Sequence, residues 1–110
     1  MEIILCAAIW YKDLKPFASE IDSEMYLPEN TDKGLVFCGH RHYNCILLKS
    51  AMTGKRDAEC GKYVQGFLTN KNRFVDRKEA YDIAYKAKQI IGPNSDFANN
   101  SIGLTSEDLY

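Results

Sequence analysis

A short run of cysteines and histidines near the middle of the sequence contains residue types that bind metals or act as nucleophiles. The run reads Cys38-x-His40-x-His42-x-x-Cys45. On a strand the first three would share one face, and thiolates and imidazoles are zinc ligands. However, Gly39 and a helix start at His42 interrupt the alternation, and zinc usually binds pairs separated by a longer loop. Metal binding, and catalysis by Cys45 beside His42, therefore rank below a non-catalytic role, and we expect no cofactor.

The same corner is better suited to binding an anion. His40, Arg41 and His42 lie where a predicted strand ends and a predicted helix begins. The first backbone N–H groups of a helix have no internal acceptor, so together with Arg41 they favour a negatively charged group. This corner is the first candidate ligand-binding element.

A second candidate element surrounds a predicted turn between two short strands. Its ligand-binding residue types are Phe67, Thr69, Asn70, Asn72, Arg73, Phe74 and Arg77. Aromatic rings and guanidinium planes can sandwich a base, amides can read its edge, and arginine can hold phosphate. The plainer alternative is a hairpin whose two phenylalanines belong to the core. We expect hairpin and corner to converge on one ligand, with Arg73 as its main partner.

The elements that position these residues predict an α+β fold, a small antiparallel sheet packed with two helices. Strands are predicted at 1–11, 35–38, 63–68 and 73–75, with a further edge strand conceivable at 102–104. A long polar excursion, 12–33, contains a short helical turn near 18–25. The first helix, 42–53, places Cys45, Leu48 and Met52 on its inner face and Lys49 off it. The second, 77–90, begins with a capping box from Asp76 to Glu79 and ends at Gly92-Pro93.

Length and charge limit the classes of function. The 110 residues suffice for a single domain, 1–110, and the net charge of −1 excludes wrapping around DNA. No apolar run is long enough to cross a membrane, and no signal peptide is recognisable, so we expect a cytoplasmic protein with reduced cysteines. Tyr81 and Tyr85, four residues apart on a helix, predict a core rim or a partner surface, and we expect at least a dimer.

Three stretches carry a resemblance to a known family: Arg41-His42 with Cys45-Ile46, the run from Gly66-Phe67-Leu68-Thr69 through Asn72 to Ala80, and the terminal Ser106-Glu107-Asp108-Leu109-Tyr110. They resemble small phage and prophage proteins, and within these the first-described anti-Thoeris family. Those proteins sequester the cyclic ADP-ribose signal of bacterial TIR-domain defence enzymes without cleaving it. The resemblance implies an antiparallel sheet with two helices, dimers or hexamers, and ligand pockets between protomers, in the cytoplasm of an infected bacterium.

Three functions follow as hypotheses. The first is a non-catalytic sponge for cyclic ADP-ribose or cyclic oligonucleotide signals. The second is a protein-binding inhibitor of a host defence enzyme, which would use the acidic segment Glu20–Asp32 as its contact surface. The third is a small metal- or cysteine-dependent enzyme built on Cys38, His40, His42 and Cys45.

Overall fold

A computed structural model describes residues 1–16, 21–91 and 103–110. It confirms the predicted α+β class. Four antiparallel strands form one sheet in the order β2-β1-β3-β4. The strands are β1 (Ile4–Tyr11), β2 (Leu35–Gly39), β3 (Tyr63–Thr69) and β4 (Phe74–Asp76), and the helices are α1 (His42–Thr53) and α2 (Arg77–Lys86).

Both helices contribute to one core on a single face of the sheet. Strand β1 lies in the middle, and its pairing of Ile9 with Phe37 on one side and Gln65 on the other fixes the register. Alternation then places Ala7, Ile9 and Tyr11 on the helix-covered face, where all three are fully buried. The core cluster joins these residues to Cys45 of α1 and to Ala80, Tyr81 and Ala84 of α2.

The opposite face of the sheet has its own small aromatic cover. The rings of Trp10 and Phe74 meet edge to face at 5.9 Å. The Phe74 ring lies over Gly66, where an added Cβ would collide with both that ring and the Val75 carbonyl. Only glycine therefore fits at Gly66, and the chain uses that position to bring β3 and β4 close together.

Helix α1 forms where it was predicted, but the prediction of its inner face was wrong. Lys49 is completely buried, whereas Leu48 and Met52 are 44% and 60% exposed. The Lys49 ammonium lies 2.6 Å from the Asp57 carboxylate and donates to the Lys55 carbonyl at 2.8 Å. These two oxygens satisfy the buried charge, so the lysine takes an inner position that apolar periodicity assigned to leucine and methionine.

The buried ion pair extends into the core through an aromatic ring. Tyr11 donates its hydroxyl to the same Asp57 carboxylate at 2.9 Å, and the Lys49 ammonium lies 5.4 Å from the centre of the Tyr11 ring. Burial, and then the hydrogen bond to Asp57, raise the pKa of Tyr11. The network fastens α1 and the loop that follows it to the central strand.

Helix α2 begins as predicted and ends early. The Asp76 carboxylate accepts the Glu79 N–H at 2.8 Å, which confirms the N-cap. The reciprocal half of the predicted capping box is replaced, because the Glu79 carboxylate instead accepts from Arg73. The helix stops at Lys86 because Lys88 adopts a left-handed backbone (φ 58°), with Gln89 N–H bonding the Ala84 carbonyl.

Two further predictions of local structure change. The turn near 18–25 appears as a 3-10 helix at Ser23–Met25, while residues 17–20 lie outside the described residues. Gly103 and Leu104 form no strand, because the Leu104 N–H bonds the Arg77 carbonyl instead of a sheet edge. Ile102, the loop 94–101 and the Gly92-Pro93 stop also lie outside the described residues.

A helix needs about 20 consecutive, predominantly apolar residues to cross a bilayer. Within the described ranges, no helix is long and apolar enough to do so.

We predict that Lys49→Met lowers the free energy of unfolding by about 3 kcal/mol, because Asp57 and the Lys55 carbonyl lose their buried donor. Lys55→Met is the matched control. It makes the same substitution at an exposed side chain whose carbonyl is unaffected, and should change stability by less than about 0.5 kcal/mol. Urea unfolding measures both variants, and equal effects would contradict the assigned role of Lys49.

Candidate functional site

The corner between β2 and α1 is in contact with Tyr110 of the C-terminal segment. We call His40, Arg41 and Tyr110 the corner cluster. The Tyr110 ring stacks on the His40 ring with centroids 4.4 Å apart, and its hydroxyl donates to the His40 carbonyl at 2.6 Å. The Arg41 guanidinium lies 5.1 Å from the centre of the same Tyr110 ring. A flat aromatic stack and a cation therefore share one surface at the start of a helix.

Arg41 has a donor to spare. Its backbone caps α1, donating to the Asn44 side chain at 2.9 Å, and its Nη2 donates to the Tyr110 carbonyl at 2.7 Å. Its Nη1 is shielded from solvent and has no acceptor among the described residues. A buried N–H without an acceptor costs about 1–3 kcal/mol. An anionic oxygen could gain a strong hydrogen bond from Nη1 once the groups that shield it move aside.

His42 points away from this surface into the interior. Its Nε2 lies 2.8 Å from the Gly66 carbonyl, and because a carbonyl can only accept, Nε2 carries the proton. The ring also meets the Phe67 ring edge to face at 5.1 Å. Burial lowers the pKa of His42, so the ring is neutral at pH 7. His42 and Phe67 join corner and hairpin inside the core.

Arg77 holds the C-terminal segment in place. Its Nη1 donates to the Leu104 carbonyl at 2.9 Å and its Nη2 donates to the Gln65 side chain at 2.6 Å. Burial lowers the pKa of this guanidinium. Arg77 thus positions the C-terminal segment that contains Tyr110. It does not contact the corner cluster through the hydrogen bonds described for it and influences the cluster through that segment.

The residues of the turn form a separate group around Glu2. Arg73 binds the Glu2 carboxylate through both Nε (2.9 Å) and Nη2 (3.0 Å), and Nη2 also reaches Glu79 at 3.0 Å. Thr69 donates its hydroxyl to Glu2 at 2.7 Å, and Asn70 accepts the Ile3 N–H at 2.8 Å. These side chains secure the N-terminal strand. Ligand binding by Arg73 remains a prediction, and it requires Arg73 to exchange these partners.

Asn72 and Phe74 complete the predicted set. The Asn72 carbonyl accepts the Glu29 N–H at 2.8 Å, and Phe74 packs on Trp10. Across the described ranges, no hydrogen bond or ring contact joins His40 or Arg41 to residues 69–73. The two elements meet inside the core, where the His42 ring contacts the Phe67 ring and lies 2.8 Å from the Gly66 carbonyl.

The thiols do not form the metal set considered from the sequence. Cys38 lies on the sheet face opposite the helices, whereas the Cys45 thiol contacts the Ala7 carbonyl under α1 at 3.6 Å. Within the described residues, no group of three cysteine, histidine or acidic side chains is placed to hold a metal ion. Cys6 is distinct, because a hydrogen bond from Cys38 lowers its pKa to about 7.

Sequence reasoning missed Tyr110 as a site residue, although the terminal run that contains it had been noticed. The sequence also contains no indication that Gln65 and Gln89 make hydrogen bonds that position other elements. Gln89 binds both backbone groups of Ile4, accepting at 2.8 Å and donating at 2.9 Å. Local patterns contain no signal for such contacts, which join residues far apart in the chain.

Comparison with known protein families gives a match over nearly the whole chain. A family model described as phage T4 y16D protein matches residues 3–110, and so includes both candidate elements. No curated protein and no solved structure matches the chain. The match supports a small phage protein and does not extend to the anti-Thoeris family that the sequence motifs resemble.

The Glu2–Arg73 pair predicts a specific acid sensitivity. The hydrogen bond from Arg73 lowers the pKa of Glu2 from 4.5 to about 2. A depressed carboxylate pKa stabilises the fold above the unfolded value, and that stability is lost as pH falls from about 4.5 to about 2. We expect Glu2→Gln to remove about 1–2 kcal/mol at pH 7 and nearly nothing at pH 2, since solvent screens a partly exposed pair. Thermal melts of the wild type and Glu2→Gln over a series of pH values measure this loss of stability. A difference in stability that stays constant from pH 7 to pH 2 would contradict the prediction.

Proposed function

We propose that this chain, which belongs to the phage T4 y16D protein family, binds and sequesters a cyclic ADP-ribose-type immune signal without cleaving it. Such a ligand combines flat purine surface with phosphate oxygens. The corner cluster offers an aromatic stack and a guanidinium for these two chemistries. The resemblance of three sequence stretches to anti-Thoeris proteins supports the same ligand class, and cyclic oligonucleotide signals offer the same groups.

One observation carries the proposal: the Arg41 Nη1 is buried beside the Tyr110 and His40 rings and has no acceptor among the residues that the structure describes. Guanidinium groups bind phosphate oxygens through directed N–H bonds and stack on flat rings. The backbone N–H groups of His42 and Tyr43 lie at the first positions of α1, where a helix provides no acceptor of its own. A phosphate that reached the Arg41 Nη1 would satisfy a donor that has no acceptor among the described residues.

Binding without cleavage fits the position of His42, the titratable side chain at the first position of α1. General acid–base catalysis needs a group that can reach the substrate and that titrates near the working pH. His42 is turned into the core and its ring proton is used by Gly66. The His42 ring is therefore not placed to act as a general acid or base on a bound ligand, and this supports a sponge.

The test is a calorimetric titration of the chain with a panel of cyclic ADP-ribose isomers and cyclic dinucleotides. We expect one isomer class to bind, and Arg41→Lys to weaken it by about 1–3 kcal/mol, roughly 5- to 150-fold in Kd. Lysine keeps the charge but loses the fork of donors and the flat stacking surface.

Arg56→Lys is the matched control, because Arg56 is exposed and contributes only backbone groups to the hydrogen bonds described here. It should bind like the wild type. If circular dichroism shows that wild type and Arg41→Lys are both folded and they bind with equal affinity, the ligand does not bind at this corner. Arg73→Lys then decides whether the turn binds it instead.

A second candidate function is supported by a different surface. A cavity of about 550 Å³ is lined by Glu24, Glu29 and Asp32 together with Asn72. Carboxylates repel an anionic nucleotide but suit a basic segment of another protein. Failure of every nucleotide in the panel to bind would favour this alternative, an inhibitor that contacts a host enzyme through its acidic segment.

A further inference from the structure

The outward half of helix α1 is apolar, exposed and uncharged. Tyr43 is 67% exposed, Leu47 48%, Leu48 44% and Met52 60%. With Asn44 and Ala51 they form two parallel rows at intervals of four residues, along half of the helix circumference. A helix on a protein surface normally presents charged side chains to water, but Lys49, the one lysine of α1, is turned inward.

The apolar surface continues beyond the helix. Met52 also lines a groove of about 270 Å³ with Tyr26, Leu35 and Phe37. Tyr26 and Ile21 at its edge are 40% and 52% exposed. Side chains of this size have about 200 Å² of accessible surface each. The six exposed residues therefore present roughly 600 Å² of surface, at the upper end of the patches found on monomers. We call this surface the α1 face.

We infer that the α1 face is the contact surface between two copies of this chain. A symmetric pair would bury about 1,200 Å², which reaches the range of specific interfaces. Between Tyr43 and Met52 the face carries no charge, so two copies of α1 meet there without repulsion. The exposed carboxylates of Asp22 and Glu24 lie in the segment that adds Ile21 and Tyr26 at the edge of the face. Two antiparallel α1 helices would place Leu47 and Leu48, midway along the face, near the two-fold axis.

This surface differs from the one expected from the sequence. From the sequence, Tyr81 and Tyr85 of α2 are predicted to form a core rim or a partner surface. Tyr81 is buried in the core, as the first alternative expects, while Tyr85 is exposed. The inference assigns self-association to α1 instead. It does not depend on the proposed function, because the mass of the chain can be measured with no nucleotide present.

Light scattering and sedimentation equilibrium at high micromolar concentration test the inference. The wild type should show twice the chain mass of 12.5 kDa, and Leu48→Glu and Leu48→Lys should each show 12.5 kDa. Because Leu48 meets its own copy near the axis, mixing the two variants should restore the doubled mass through opposite charges. A protein partner of another kind would not produce this rescue.

Ile91→Glu is the control, since Ile91 is an exposed apolar residue outside α1 and should leave the dimer intact. Leu47→Glu provides a second disruption of the face if a Leu48 variant does not fold by circular dichroism. A monomeric wild type, a dimeric Leu48→Glu, an equal loss in Ile91→Glu, or no rescue in the mixture would overturn the inference.

Discussion

The attachment of the C-terminal segment by Arg77 is the interaction on which the candidate site depends. The Arg77 backbone carbonyl accepts the Leu104 N–H at 2.8 Å, while its side chain reaches the Leu104 carbonyl and Gln65. Gly103 adopts φ +83°, and a Cβ there would lie 2.7 Å from the Arg77 side chain. Only glycine permits this close approach of the C-terminal segment to Arg77.

The same small sheet imposes a second constraint, on helix α1. The helix must bury its inner face over β1 and β2, and it does so with Cys45 and the paired Lys49. Leu47, Leu48 and Met52 are then left on the outside. The orientation of α1 therefore has two results: Lys49 is buried, and apolar side chains are exposed. The same orientation stabilises the monomer and provides the inferred contact between copies.

Local signals predicted the elements, while contacts distant in sequence determined the site. The Asp76 cap, the turn after β3 and the apolar runs of the strands act within a few residues, so the fold class could be predicted. The inward turn of Lys49 depends on Asp57, and the position of Tyr110 depends on Arg77. Neither dependence has a periodic signature. Arg73 had the right chemistry for a ligand, but Glu2, at the far end of the chain, provides it with a partner.

Recovery of the bound ligand tests the central claim most directly. The chain is incubated with a cyclic ADP-ribose isomer and isolated by gel filtration, then denatured by heat, and the released nucleotide is identified by chromatography. A sponge whose corner cluster binds the signal should carry the isomer through the column in proportion to protein and release it unchanged. The experiment is repeated with each cyclic ADP-ribose isomer of the calorimetric panel. Release of a cleaved product would contradict the account, and so would elution of the chain without bound nucleotide for every isomer.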